Sequence, residues 1–360
     1  MRRTGIITLM SGYNYGGMLQ CFALQETLRQ LGGIPEVINY PISSKRRLLR
    51  RWGGRPATAL AAWMGAERKL YGKFETFRRR ELQLSRPVNT HAELARLSEE
   101  YSAVIAGSDQ IWNQSWYAPE YYLDFAAPGV RRIAYAACCG ADLPFPAWRR
   151  RELEKNLQAF DRISVRNRMT RDFVRNLTGG DPAVVADPTV LFDWPESPRP
   201  AGLPERYILL YAMSRNSFQL RREKLEKLAA ELRLPLVAVY SDVLSPWLAE
   251  YGGERLVNPN VMEWLGALRH AECVFTDSFH GTVFALRNRK PLWNYIGSCR
   301  SFERIVDIVE RYGIGIAYCE PEEVLRSLEA QRVPAYYTAV EKSVAAHREF
   351  SLNWLRKSFQ

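Results

Sequence analysis

The residues best suited to catalysis lie in the segment Thr276–Thr282, where a hydrophobic strand pattern changes into an apolar helix pattern. Asp277, His280 and Gly281 meet at this junction. An imidazole placed there would have its pKa tuned by the helix N-terminus and by the aspartate, as general acid–base catalysis requires. The alternative is a histidine that caps the helix or fills the core. The segment therefore indicates either an acid–base site or a structural junction.

Three other segments place polar groups directly after a hydrophobic strand: residues 14–17, residues 107–113 and Arg166. Ligands of open parallel sheets bind at the carboxyl ends of the strands. The glycines of 14–17 permit close backbone approach, and the following helix offers an anion-binding N-terminus, although an ordinary tight turn explains them equally well. Asp109 could line a site or cap a turn. Arg166 could bind a carboxylate or phosphate, or form a surface ion pair.

The elements that would position these groups alternate between strand and helix in both halves of the chain. The predicted strands of the first half are 5–10, 37–40, 103–106, 133–137, 162–166 and 184–186, and those of the second half are 207–212, 236–240, 273–276 and 292–296. Such alternation is typical of parallel sheets covered by helices. We therefore expect an α/β fold of two Rossmann-like domains that face each other across a cleft.

The domain limits follow from composition. Residues 193–206 hold four prolines and read as a linker. We expect an N-terminal domain at 1–192 with a basic insertion at 43–80, and a C-terminal domain at 207–338. The last stretch, 339–360, is expected to be a helix that packs back across the linker.

Composition narrows the class of protein. Of 360 residues, 47% are hydrophobic and 25% are charged, which is globular and excludes a disordered or fibrous chain. No run approaches the ~18 apolar residues of a membrane span, and the first residues lack the pattern of a signal peptide. Six cysteines are too few for a disulfide framework, and no Cys/His group has zinc spacing. We expect a cytoplasmic chain with no metal.

The net charge of +11 is concentrated in one segment. Residues 45–80 hold twelve Lys or Arg against two Glu, which gives +10 there and leaves about +1 for the remainder of the chain. A local basic segment favours a local anionic partner over nucleic acid. Trp52 and Trp63 interleave with these charges, a mixture suited to an anionic membrane surface. A solvated helical insertion is the alternative.

Together these segments resemble the polysaccharide pyruvyl transferase family over nearly the whole chain. The motifs that carry the resemblance are Asn14–Gln20, Ala23–Gln25, Gly107–Asn113, Tyr122–Phe125, Ile133–Ala137, Ser164–Arg166, Asp187–Leu191, Asp277–Thr282 and Arg304-Ile305. No single motif would suffice, but their joint order and spacing are specific. One departure is Ser278, where many relatives carry an arginine; Arg300 or Arg304 could substitute for it.

The resemblance implies a GT-B-like fold and an enzyme that transfers pyruvate from phosphoenolpyruvate to two hydroxyls of a sugar. The product is a cyclic ketal of a bacterial cell-surface or exopolysaccharide precursor, with release of phosphate and no further cofactor. The implied roles are acid–base chemistry for His280, Asp109 and Asp277, donor binding for Arg166, Ser278, Gly281 and Arg304, and acceptor or cleft contacts for Asn14, Tyr15, Gly16, Ser108, Gln110 and Trp112.

Two other functions stay open from the residues. One is a GT-B nucleotide-sugar glycosyltransferase, because a fold does not fix a function. The other is a non-catalytic relative that binds sugar or phosphate, which Ser278 makes conceivable. In the favoured interpretation the acceptor is lipid-linked, and residues 45–80 hold the protein peripherally at the inner face of the cytoplasmic membrane.

Overall fold

The computed structural model describes residues 3–10, 13–41, 57–140, 145–251, 253–295, 302–317 and 319–359. These residues form two compact units, each built on its own parallel sheet. The first unit draws on Met1–Arg55, Arg78–Asp193 and His347–Gln360, and the second on Pro56–Phe77 and Trp194–Ala346. The predicted two-domain α/β fold is confirmed.

The first sheet has six strands in the order β2-β1-β3-β4-β5-β6, all parallel. Its strands are β1 (Arg3–Ile7), β2 (Ile34–Val37), β3 (Ala103–Ala106), β4 (Arg131–Ala137), β5 (Arg162–Val165) and β6 (Ala183–Val184). The helices up to this point are α1 (Tyr15–Gln30), α2 (Ala57–Glu81), α3 (His91–Ser98), α4 (Ala147–Gln158), α5 (Arg168–Thr178) and the short α6 (Pro188–Leu191). The inner strand β3 is buried throughout, because helices cover both faces of a parallel sheet.

The second sheet has five parallel strands in the order β11-β10-β7-β8-β9. Its strands are β7 (Ile208–Tyr211), β8 (Leu236–Tyr240), β9 (Glu254–Val257), β10 (Cys273–Thr276) and β11 (Leu292–Trp293). The remaining helices are α7 (Arg215–Leu232), α8 (Val261–His270), α9 (Phe279–Arg287), α10 (Phe302–Tyr312), α11 (Val324–Gln331) and α12 (Pro334–Ser358).

The last helix belongs to both units: residues 334–346 count with the second and 347–358 with the first. Within the first unit, Arg348 Nε donates to the Leu191 carbonyl over 2.9 Å, and the Ser351 hydroxyl accepts from the Ala186 amide over 2.8 Å. The C-terminal segment is therefore hydrogen-bonded to the loop after β6 and to α6, next to the carboxyl edge of the first sheet.

Part of the predicted basic insertion forms α2, whose residues 57–77 count with the second unit. Leu70 and Phe74 are buried along it. Lys73 Nζ donates to the Asn258 carbonyl over 2.6 Å, so at least one of the twelve cations serves an internal contact. Residues 45–56 lie outside the described residues, as do Trp52 and the side chain of Trp63. No helix in the described part of the chain is long and apolar enough to cross a membrane.

Candidate functional site

Polar residues gather at the carboxyl edge of the first sheet. Ser108 and Asp109 follow β3, Arg166 follows β5, and Asp187 follows β6. Asn14 joins them as the N-cap of α1, where its side-chain oxygen accepts from the Gly17 amide over 3.0 Å. We call these five residues the first-unit cluster. Parallel strands bring them together because their carboxyl ends meet at one edge.

Asp109 has an unusual backbone for a residue with a side chain. Its φ of 69° lies in the left-handed region, which costs about 1–2 kcal/mol outside glycine. Its carboxylate accepts from Asn14 Nδ2 over 3.3 Å, and its other oxygen lies 3.6 Å from Arg166 Nη2. The strained backbone and these two partners hold the carboxylate in one orientation at the sheet edge.

Arg166 is enclosed by its partners. Its Nη1 donates to Asp187 Oδ2 over 2.8 Å, and the side chain is 1% exposed. Burial by itself would lower the pKa of Arg166, but Cys138, Asp187 and Asp109 outweigh it and raise the pKa above its ordinary value. The guanidinium is therefore charged and lies between two carboxylates, an arrangement that positions Asp109.

Asp187 is the hub of this arrangement, although the sequence pattern gave it no role. It caps α6, accepting from the amide and the hydroxyl of Thr189 over 3.0 and 2.7 Å. It also accepts from the Ser108 hydroxyl over 2.8 Å and from Arg166. Its position directly after a short strand and before Pro188 was the signal available in the sequence.

The predicted acceptor residues have different degrees of exposure. Tyr15, Gly16 and Ser108 are buried, and Gln110 is partly exposed. Trp112 is 0% exposed: its ring stacks on Tyr122 with centroids 5.5 Å apart, and its Nε1 donates to the Tyr121 carbonyl. Trp112 thus supports the core behind the first-unit cluster, and in this structure its ring offers no surface to a sugar.

A second polar cluster lies at the carboxyl edge of the second sheet. Asp277 follows β10, and its two oxygens accept from the amides of Met213 and Ser214 over 2.6 and 2.9 Å. Burial raises the pKa of Asp277 to about 6, although these amide bonds and one from its own backbone lower it in part. This carboxyl group can therefore exchange a proton near neutral pH.

His280 lies in the first turn of α9, three residues beyond Asp277, and is buried. Its ring meets the Phe279 ring edge to face, with centroids 5.1 Å apart. Ser278 is the N-cap of α9 and accepts from the Gly281 amide over 3.3 Å. At Gly281 a Cβ atom would lie 2.6 Å from Thr276 Oγ1, so only glycine lets the helix start this close to the strand.

Two further residues lie in the second unit near this cluster. Arg304 is on α10, which packs against α9. Tyr295 follows β11. Its hydroxyl is buried and has no hydrogen-bond partner among the described residues. Burial raises the pKa of Tyr295 well above its usual range, and the charge of Asp277 raises it further. Sequence reasoning missed Tyr295. Arg300, the other predicted substitute for an arginine at 278, lies outside the described residues.

Groups of three or more His, Cys, Asp or Glu side chains that could hold a metal ion do not occur within the described residues. The first-unit cluster holds two carboxylates with hydrogen-bond donors and a guanidinium, and the second cluster holds the Asp277 carboxyl group with its two amide donors and, three residues further along the chain, His280. Such groups can bind an anion and move a proton.

Solved structures of similar fold include two UDP-GlcNAc 2-epimerases. The enzyme from Neisseria meningitidis bound to UDP-GlcNAc aligns with a TM-score of 0.53 at 9% identity, covering 99% of this chain and 100% of that one. The enzyme from Methanocaldococcus jannaschii in complex with UDP-GlcNAc and UDP gives 0.50 at 11% identity and covers 92% of each chain. The glycosyltransferase of kitacinnamycin gives 0.50 at 12% identity, covering 100% of this chain and 99% of that one. These likenesses confirm the expected GT-B-like fold.

Sequence comparison adds the family. No curated protein matches the chain significantly. The profile described as polysaccharide pyruvyl transferase, however, matches residues 14–296, a span that includes Asn14, Asp109, Arg166, Asp187 and the Asp277–Thr282 segment. The predicted resemblance is confirmed, and the chain belongs to the polysaccharide pyruvyl transferase family.

Proposed function

We propose that this transferase moves pyruvate from phosphoenolpyruvate to two hydroxyls of a sugar in a cell-surface polysaccharide precursor, forming a cyclic ketal. Membership of the family supports the transfer of a pyruvyl group. The observation that carries the chemistry is the buried pair Asp277 and His280 at the start of α9. The Asp277 carboxyl group, whose pKa is about 6, can hold or release a proton near neutral pH, and histidine is the side chain that most often serves as a general acid or base.

The reaction needs a proton at one carbon and the loss of two hydroxyl protons. Protonation of the donor's methylene carbon leaves an oxocarbenium-like carbon, to which the first sugar hydroxyl bonds as it loses its proton. The bond from that carbon to the phosphate oxygen then breaks. The second hydroxyl bonds to the same carbon and loses its proton, which closes the ketal. Of the two hydroxyl protons, one replaces the proton given to the methylene carbon and the other leaves with inorganic phosphate; no metal or further cofactor takes part in this proposal.

The residues of the second unit take the acid–base and donor roles. We assign proton transfer to His280 and Asp277. The N-terminus of α9, with Ser278 and Gly281, supplies backbone amides for the anionic donor, and Arg304 supplies positive charge. Ser278 is the cap at the position where the family resemblance implies an arginine, so we assign to Arg304 the positive charge that this arginine would supply.

The residues of the first unit take a base and positioning role. Asp109 is the second candidate base, held by Asn14 and Arg166. Because the guanidinium of Arg166 is enclosed, we propose that Arg166 orients Asp109 and does not contact the donor directly. Asn14, Tyr15, Gly16, Ser108 and Gln110 remain the predicted acceptor side of the site, and the buried Trp112, also predicted there, supports it from the core.

The test is phosphate release from phosphoenolpyruvate, measured colorimetrically with galactose- and N-acetylmannosamine-containing acceptors, free and lipid-linked. We expect release that depends on the acceptor, with a product whose mass rises by pyruvate less one water. His280→Ala should slow release about 100-fold without loss of fold, as removal of a general acid or base typically does. His270→Ala is the control, because that imidazole bonds the Ser197 carbonyl outside the cluster.

Two results would contradict the proposal. Release of UDP or dTDP from nucleotide sugars, with phosphoenolpyruvate untouched, would identify a glycosyltransferase. Saturable binding of phosphoenolpyruvate without phosphate release under any acceptor would identify a non-catalytic relative.

We further propose that residues 45–80 dock the protein on the anionic inner face of the cytoplasmic membrane, where a lipid-linked acceptor would be presented. The support is the charge of +10 in this segment, since each Lys or Arg near such a surface contributes about 1 kcal/mol. Arg68 and Lys69 are exposed on α2, as is Tyr71. The protein should sediment with phosphatidylglycerol vesicles, and the fraction that does so should fall as salt rises. It should also fall in the variant in which four arginines are changed to Gln: Arg46, Arg47, Arg50 and Arg51. Equal sedimentation of this variant would leave the segment as a solvated insertion.

A further inference from the structure

An exposed aromatic surface adjoins the loop that carries Asp109. Trp148 is 60% exposed at the start of α4, and Trp116 is 37% exposed in the short helix after that loop. Tyr117 follows Trp116 in the sequence, and the Arg149 guanidinium lies over the rings of both Tyr117 and Trp148. We call these four residues the aromatic patch. The tryptophan predicted from the sequence to line the site is Trp112, whose ring is buried.

The aromatic patch is the outer end of a stack that begins in the core. Trp112 stacks on Tyr122 with an interplanar angle of 11°, and the Tyr122 and Tyr117 centroids are 5.4 Å apart. The Arg149 guanidinium lies 4.0 Å from the Tyr117 centroid and 4.5 Å from the Trp148 centroid. Each contact is a favourable aromatic or cation–π arrangement. Trp148 is thus held by the core although it lies at the surface.

Hydrogen bonds fix the middle of the stack. The Tyr117 hydroxyl donates to Glu152 Oε1 over 2.8 Å and accepts from Asn156 Nδ2 over 3.1 Å. Arg149 Nε lies 3.4 Å from the second oxygen of Glu152. Side chains that are already ordered lose little conformational entropy when a ligand binds, which favours recognition at such a surface.

Trp116 connects the aromatic patch to the candidate site. Its Nε1 donates to the carbonyl of Gln110 over 3.2 Å, and Gln110 directly follows Asp109. The Gln110 side chain accepts from Asn113 Nδ2 over 3.0 Å. A molecule that reaches Asp109 from this side would therefore pass exposed indole rings and side-chain amides.

We infer that the aromatic patch binds further sugar units of the acceptor, beyond the sugar that receives the pyruvyl group. This inference rests on the proposed function and narrows its acceptor. A pyranose has an apolar C–H face that suits the negative face of an aromatic ring, and a rim of hydroxyls that suits amides and carboxylates. The patch offers exposed aromatic faces, and side-chain amides and a carboxylate lie beside them.

Within the four-residue patch the cation, Arg149, is paired with a carboxylate, which favours a neutral sugar over an anionic lipid surface. Arg149 is paired with Glu152, and Arg150 Nε lies 2.8 Å from Glu154. An anionic membrane is attracted by unneutralised cations, and the two carboxylates oppose that attraction. A neutral sugar chain that is rich in hydroxyls is not repelled by these carboxylates.

The test is binding of the full-length protein to an array of galactose-, glucose- and N-acetylmannosamine-containing saccharides from one to six units long. The wild type should bind chains of three or more units more tightly than single sugars. Trp148→Ala and Trp116→Ala should each weaken that binding about ten-fold. Trp148→Phe keeps an aromatic ring and should retain most of the saccharide binding. Phe350→Ala, which removes a similarly exposed ring from α12, is the matched control and should change nothing.

Three outcomes would overturn the inference: no binding of the wild type to any array member, equal binding of wild type and Trp148→Ala, or equal weakening by Phe350→Ala. Binding to phosphatidylglycerol vesicles that depends on Trp148, without array binding, would assign the patch to the membrane and also overturn it. The two tests are independent, because saccharide binding to the array needs no turnover. If the array shows no binding, the phosphoenolpyruvate test of the proposed function is unaffected. If no phosphate is released from phosphoenolpyruvate, binding to the array can still be measured.

Discussion

Asp277 should make the stability of the second unit depend on pH. Its pKa is about 6 in the folded chain against an ordinary value of 3.8, because burial disfavours the charged form. A carboxyl group with a raised pKa binds its proton more tightly when folded. The stability it contributes is fully present below pH 3.8 and is lost as pH rises through 6.

The magnitude follows from the difference of about two pKa units, at about 1.36 kcal/mol each. Ionised Asp277 therefore lowers the free energy of unfolding by about 3 kcal/mol at pH 7. Asp277→Asn removes the titration. The Asn amide resembles the protonated carboxyl because each keeps one oxygen that can accept from the Met213 or Ser214 N–H, while its second group becomes a donor that neither N–H can accept. Wild type and variant should thus differ by less than about 1 kcal/mol at pH 4, and the variant should be about 3 kcal/mol more stable at pH 7.

The measurement is urea unfolding of both proteins from pH 4 to pH 8, followed by hydrogen exchange in peptides that cover β7 and β10. These strands pair with each other and report on the second unit. Asp242→Asn is the control of opposite sign, because hydrogen bonds from Tyr240 and Asn258 lower the pKa of Asp242. That variant should be less stable than the wild type by a nearly constant amount from pH 4 to pH 8, because the stability that a lowered pKa contributes is lost only as pH falls below about 3.8. A stability difference between Asp277→Asn and wild type that stays constant from pH 4 to pH 7 would refute the reasoning.

Three further substitutions test the two clusters. Asp187→Ala leaves the buried Arg166 without its closest partner and should destabilise the first unit by about 3–5 kcal/mol in urea unfolding, whereas Asp181→Ala, which breaks an exposed pair, should cost less than about 1 kcal/mol. Gly281→Ala forces a Cβ against Thr276 and should cost about 1–3 kcal/mol in urea unfolding and slow phosphate release. Ser278→Ala should cost about 1 kcal/mol of helix stability, measured as faster amide exchange in the first turn of α9; unchanged exchange would argue against the cap.

The sequence was sufficient to place most of the elements and both polar clusters. Strands buried on both faces of a parallel sheet must be continuous apolar runs, so β3, β8 and β10 are visible as such. The residue after such a run lies at the carboxyl edge, which located Asp109 and Asp277 without any structure. The order of the motifs was enough to indicate the family.

Elements without a buried run were misplaced or missed. β9 has a single buried residue, Leu256, because it is an edge strand, and its sequence shows no hydrophobic pattern. The strand predicted at 37–40 lies at Ile34–Val37, since pairing with β1 sets its register. Pairing partners are distant in sequence, so local patterns do not fix them.

Only the tertiary structure decided what each polar or aromatic side chain faces. Trp112 and Trp116 are four residues apart in one loop, yet the first packs in the core and the second is exposed. Arg166 has its charge enclosed by Asp187 because two strand ends, 21 residues apart in sequence, meet at the sheet edge. The raised pKa of Asp277 likewise depends on burial beneath the loop after β7. Residue type and spacing determine which chemistry is available, whereas exposure and charge state depend on contacts between distant segments, which exist only once the chain has folded.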